Sequence, residues 1–229
     1  IPCQALVSEP LDKLLSAGKI TASFESKGGY QEGCMQVVVK NNTADSVVGF
    51  IEPGRRLNSI NDQEQDILVV KAAVFRLKAH ESDTVTITGF CCESTKSAPS
   101  RGSRFSAGVL APAGWLILAN LINLHPFSKD AIQHAIWVLS DKHDIRSIPA
   151  YRNPAMDQLR HAVADILDIE LPWYSFRFKS DSTDLFTGTK THFFAEVPFE
   201  IPFRAVITPQ IFNLHGDLIY QGDPTYFSA

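Results

Sequence analysis

Between Ile20 and Cys92 the chain breaks into short stretches that alternate apolar and polar residues, each closed by a turn cluster. Ile20–Phe24 runs into Lys27-Gly28-Gly29, and Cys34–Lys40 into Asn41-Asn42-Thr43-Ala44-Asp45. Val47–Ile51 follows as a hairpin partner and ends at Pro53-Gly54. Asp66–Val70, Ala73–Lys78 and Thr84–Thr88 continue the pattern. A side-chain period of two puts one face of every such strand on a core. Five or six of them in succession predict a β-sandwich rather than a βαβ array. Ahead of them, Leu11–Ala17 reads as a short helix stopped by Gly18.

After Cys92 the period changes. Residues 94–106 are rich in Ser, Lys, Arg and Gly and include Pro99, which predicts an exposed loop. Two apolar helices are expected next, over Gly114–Leu124 and Ser128–Lys142. In the second, Ser128 serves as N-cap, Asp130 sits at the positive end, and Ile132, Ile136 and Leu139 form the buried stripe. A third helix begins at Asn153-Pro154, with Met156, Leu159, Val163, Ile166 and Leu167 along one side. The tail returns to strand at Tyr174–Phe178, Val197–Ile201, Ala205–Phe212 and Asn213–Tyr220. Pro198, Pro202 and Pro209 confine those strands to edges or bulges. The expected fold class is therefore mainly β with helices (α+β). A β-sandwich with a helical insertion occupies 1–149, and a helix followed by a smaller β-rich region occupies 150–229, with the division near Pro149.

Lys plus Arg number 21 against 25 Asp plus Glu, a net charge of −4, and no basic patch with interleaved aromatics is present. That balance speaks against a nucleic-acid partner. No apolar run reaches the roughly 20 residues a membrane-spanning helix requires. The start at Ile1-Pro2-Cys3 and the even number of cysteines (Cys3, Cys34, Cys91, Cys92) fit a processed chain in an oxidising compartment, so a secreted or cell-surface location is expected. Asn41-Asn42-Thr43 matches a glycosylation sequon. His134 and His143 fall on different helical faces, no His/Cys/carboxylate cluster has metal-ligand spacing, and no G-x-S-x-G elbow is present. No metal and no cofactor are expected.

Cysteine and glutamine are the two side chains that condense into an internal thioester, and the chain carries both in informative company. Phe90-Cys91-Cys92 ends a β-rich segment, and Ile132-Gln133-His134-Ala135-Ile136-Trp137 lies on an apolar helix. A thioester lasts only where apolar neighbours exclude water, a task suited to Phe90 and Trp137. The aromatic-Cys pair, the loop with Pro99, the apolar-Gln-x-x-apolar-apolar helix and the following Asp141 resemble the thioester domains of bacterial surface adhesins, over roughly residues 85–142. The doubled cysteine departs from that pattern, so Cys91 and Cys92 compete for the role and Cys34 stands as a further candidate. Val197–Tyr220 resembles the terminal strands of small bacterial Ig-like modules.

The resemblance implies covalent adhesion, with Gln133 as acyl donor and Cys91 or Cys92 as its acceptor, and an unknown surface protein or glycan as partner. A non-covalent binding module with structural cysteines is the alternative. A cysteine-nucleophile enzyme comes third, because no histidine is assignable as its base; an enzyme is the less expected outcome. A vicinal Cys91–Cys92 bridge is disfavoured by the short Cα separation of neighbours. A disulfide, if formed, is expected to join Cys34 to Cys91 or Cys92.

Overall fold

A computed structural model describes residues 8–150, 152–179, 189–197 and 200–227. About 37% of it is strand and 23% helix. The first part runs through β1 (Glu9–Pro10), α1 (Leu11–Ser16), β2 (Ile20–Ser26), β3 (Met35–Asn41), β4 (Val47–Ile51) and β5 (Arg55–Ser59). It continues through β6 (Ile67–Val69), β7 (Ala73–Leu77), β8 (Ser82–Ile87), β9 (Gly89–Cys91) and β10 (Arg104–Leu110). Seven of these form a curled antiparallel sheet in the order β8-β3-β2-β10-β5-β6-β9, and a second sheet has the order β1-β4-β7. Alternation decides which side chains meet between them. Val37 and Val39 of β3, Phe24 of β2, Leu57 of β5, Ile51 of β4 and Phe75 of β7 enter one buried apolar cluster. The expected sandwich is the observed fold.

Two strands lie where turn and loop chemistry predominates in the sequence. β10 begins in the last three residues of the stretch expected to be an exposed loop and runs on beyond it, pairing with both β2 and β5. Phe105 is its only buried residue, so the apolar signal is a single side chain while Arg104 and Ser106 face solvent. β5 is Arg55-Arg56-Leu57-Asn58-Ser59, and its buried Arg55 is neutralised by a two-point contact with Glu52 and a bond to the Gly108 carbonyl. The sequon is also corrected. Asn41 is buried, its amide donating to the carbonyls of Asp45 and Lys78, so it organises a turn and offers no surface for a glycan.

The helical segment follows β10 as α2 (Ala113–Leu124), α3 (Lys129–Ser140) and α4 (Pro154–Leu167). Ser128 caps α3 by accepting from the Ala131 N–H, and Asn153 caps α4 by accepting from Met156. The C-terminus of α2 is held from the sandwich, where the Lys71 ammonium, on the connection from β6 to β7, bonds the carbonyls of Ile122 and Asn123. Leu118, Ile122, Ile136, Leu159 and Val163 of the three helices share a second buried cluster. After α4, β11 (Tyr174–Phe178) pairs with β12 (Lys190–Ala195), a strand the sequence patterning does not announce.

The chain divides into compact units Ile1–Ala195 and Glu196–Ala229. Pro149, expected to mark a division, lies inside the first, between a 3-10 turn (Ile145–Ser147) and α4. The second unit holds β13 (Ala205–Ile207) paired with β16 (Thr225–Phe227), and β14 (Gln210–Phe212) paired with β15 (Leu218–Gln221). Part of the strand expected over 197–201 lies outside the described residues, and its described positions are not in strand. No helix among the described residues is long and apolar enough to cross a membrane.

Candidate functional site

β9 is the last strand of the seven-stranded sheet, and its two faces look into different interiors. Cys91 joins the sandwich cluster, whereas Phe90 and Cys92 join the helical one. This is the consequence of strand alternation: two successive cysteines cannot share a face. On its outer edge β9 is met by the segment before β3, where the N–H of Gly89 bonds Glu32 O and that of Cys91 bonds Tyr30 O. The Cys91 carbonyl on the same edge is taken by Gln133, whose side-chain Nε2 donates to it at 2.7 Å. Helix α3 therefore delivers Gln133 to the residue carrying one of the candidate thiols. Gln133 is only 2% exposed. Its Oε1 is buried and makes no hydrogen bond among the described residues.

The three described cysteines are buried free thiols, and no disulfide joins Cys34 to Cys91. Cys34 Sγ donates to the Gly89 carbonyl at 3.4 Å and Cys92 Sγ to the Asp66 carbonyl at 3.3 Å. Burial pushes the Cys34 thiol up to about 12 and raises Cys92 strongly. Burial likewise carries Cys91 well above the ordinary thiol value, with the neighbouring Cys34, Cys92 and Glu93 adding to the effect. All three are thus neutral at physiological pH: the positive charges near two of them, Lys27 for Cys34 and Arg56 for Cys92, do not offset burial.

Phe90 and Trp137 are both buried, as a water-excluding shell requires. Trp137 lies edge-on to His134, with ring centroids 5.7 Å apart, and at the same separation from His143. His143 Nε2 is 2.8 Å from Ser94 Oγ, and the Ser94 N–H donates to Asp141 Oδ1 at 3.0 Å. These contacts tie the segment leaving Cys92 to the end of α3, fixing strand and helix against each other. Burial lowers the pKa of His134 to about 4, with His143 acting in the same direction and Asp130 opposing. His134 is therefore uncharged at neutral pH.

Above Gln133 lies a cavity of about 660 Å³. Gln133, Trp137 and Ser147 form buried parts of its lining; Tyr30, His134, Phe176, Phe178 and Phe194 supply partly exposed rings; Asp130, Arg177 and Lys179 are its exposed charges. The hairpin β11–β12 is held over the helices by Arg160, which donates to the carbonyls of Pro172 and Tyr174, and by Arg146, which lies over the rings of Tyr174 and Phe176. Ser147, Phe176 and Phe178 carry no local signal of such a role. They come from elements distant in sequence that meet only once the hairpin folds back onto α3 and α4. Among the described residues no group of three His, Cys, Asp or Glu side chains is placed to hold a metal ion. Comparison with protein-family models, with curated proteins and with solved structures finds no match to this chain.

Proposed function

We propose that this is an extracellular or cell-surface interaction protein that attaches covalently to its partner through a thioester between Cys91 and Gln133. The observation that carries this reading is the 2.7 Å bond from Gln133 Nε2 to the Cys91 carbonyl, made by a carboxamide that also lines a cavity. Among the three described cysteines, Cys34 and Cys92 donate their thiols to carbonyls, while Cys91 Sγ makes no hydrogen bond among the described residues. That supports Cys91 over Cys92 for the role. In the condensation the Sγ–Cδ bond forms, the Cδ–Nε2 bond breaks, and ammonia leaves carrying the thiol proton. Both reactants and the product are neutral, which suits a site where burial disfavours thiolate. A nucleophile on the partner then takes the acyl group, and sulfur regains a proton. Phe90 and Trp137 keep water from competing.

The same hydrogen bond favours a second reading, a non-covalent binding module in which Gln133 satisfies an otherwise open edge carbonyl of β9. Intact mass of freshly purified protein under non-reducing conditions separates the two. A deficit of one ammonia, lost on treatment with methylamine together with release of a thiol and absent in Gln133→Ala, is the expected result. A mass equal to that of the unmodified chain refutes the thioester and leaves the binding module.

A further inference from the structure

We propose that the cavity above Gln133 is a saccharide subsite, taking one or two neutral, polyhydroxylated rings. The inference concerns the cavity and stands whether or not the thioester forms, because the Gln133 carbonyl oxygen is retained when its nitrogen leaves. Two buried oxygens at the cavity, Gln133 Oε1 and Ser147 Oγ, make no hydrogen bond among the described residues, and each residue is only 2% exposed. Buried polar atoms in native proteins are almost always satisfied, so a pair lining one cavity points to a ligand that satisfies them. Gln133 Oε1 only accepts, whereas a serine hydroxyl both donates and accepts. Hydroxyl groups of the ligand complete both, one donating to Gln133 and one accepting from Ser147.

The surroundings argue for a neutral ligand. An ammonium placed against Gln133 and Ser147 would lose its water beside two uncharged oxygens, and the charged side chains that line the cavity, Asp130, Arg177 and Lys179, are all exposed and leave its buried end uncharged. His134 adds no charge at neutral pH. Phe176, whose ring carries Arg146 and Lys190 over it, and Phe178, stacked on His134, line the cavity with apolar ring carbons against which the C–H groups of a pyranose pack. A volume of about 660 Å³ lies within the range of small-molecule sites.

The test uses the intact chain and saturation-transfer NMR with three neutral disaccharides, maltose, lactose and chitobiose, beside Nα-acetyl-lysine methylamide as a cationic probe. At least one disaccharide is expected to receive saturation, and Ser147→Ala is expected to weaken its binding about tenfold. Since Ser147 Oγ has no partner to lose among the described residues, that variant should melt at or above the temperature of the unmodified protein, which separates a ligand contact from a structural one. The proposal is overturned if no disaccharide receives saturation, if only the lysine probe does, or if Ser147→Ala binds the sugar unchanged. Intact mass, read in parallel, reports on the thioester alone. A normal mass with sugar bound removes the thioester and keeps the subsite; an ammonia deficit with no sugar bound does the reverse.

Discussion

The sandwich core and the helical core meet at β9, yet they treat polar side chains differently. On the sandwich side the buried polar residues Ser26, Asn41, Arg55, Glu64 and Gln65 sit at strand ends or in loops and have hydrogen-bond partners there, Glu64 Oε2 being the one atom of theirs that no described residue satisfies. Between the sheets the cluster is apolar apart from the thiols of Cys34 and Cys91. On the helical side Gln133, Ser147 and Arg160 are buried on or beside the elements that build the core, and each has a polar atom (Oε1, Oγ and Nε) that no described residue satisfies. Unsatisfied polar atoms cost stability, so the pair that shares one cavity, Gln133 Oε1 and Ser147 Oγ, sets the helical side apart from the sandwich, where Glu64 Oε2 lies in a loop.

Substitutions on the two sides test this contrast. Ile136, buried on α3, is expected to give the largest effect: Ile136→Ala should lower stability by about 2–5 kcal/mol in urea unfolding. A change within about 0.5 kcal/mol, typical of surface sites, would show that the helical cluster is not a true core. On the sandwich side, a Cβ added at Gly49 would lie 2.3 Å from Phe75 Cζ and 2.4 Å from Leu14 Cδ1. Overpacking at this position should cost about 1–3 kcal/mol in Gly49→Ala. A neutral result there would mean that the interface between β4 and α1 is loosely packed, and the contrast in packing would fall.

The smallest effect is one of pH. The folded-state pKa of His134 is depressed to about 4 from 6.5, so between those values the unfolded chain binds more protons. Stability from this group is complete above about pH 6.5 and is lost as pH falls towards 4, by about 1 kcal/mol at pH 5 once its partial exposure is allowed for. His143 is depressed in the same direction. His134→Gln should flatten the acid limb of a melting-temperature profile; an unchanged limb would place the acid sensitivity elsewhere.

Much of the architecture is legible from residue order because it follows from local periodicity. Alternation across β2, β3 and β7 assigns an inner face to each strand, and Ser128 and Asn153 open α3 and α4 at the positions their caps predict. β5, β10 and β12 are less legible, since their backbone pairing is satisfied by neighbours while only a few of their side chains are apolar and buried. Asn41 matches a sequon on the page and is buried in the molecule, because a three-residue motif says nothing about which groups its amide will meet.

For the candidate site, the sequence by itself brought Cys91, Cys92 and Gln133 under suspicion and, through the period of two, required the cysteines to face opposite ways. Tertiary structure alone decided which interior each thiol entered, that Gln133 reaches the Cys91 carbonyl, and that Ser147, Phe176 and Phe178 close a cavity over it. The physical reason is range. Periodicity and capping act within a few residues, whereas the cavity is set by Arg160 and Arg146 holding a distant hairpin against the helices, contacts that exist only after the chain has folded back on itself.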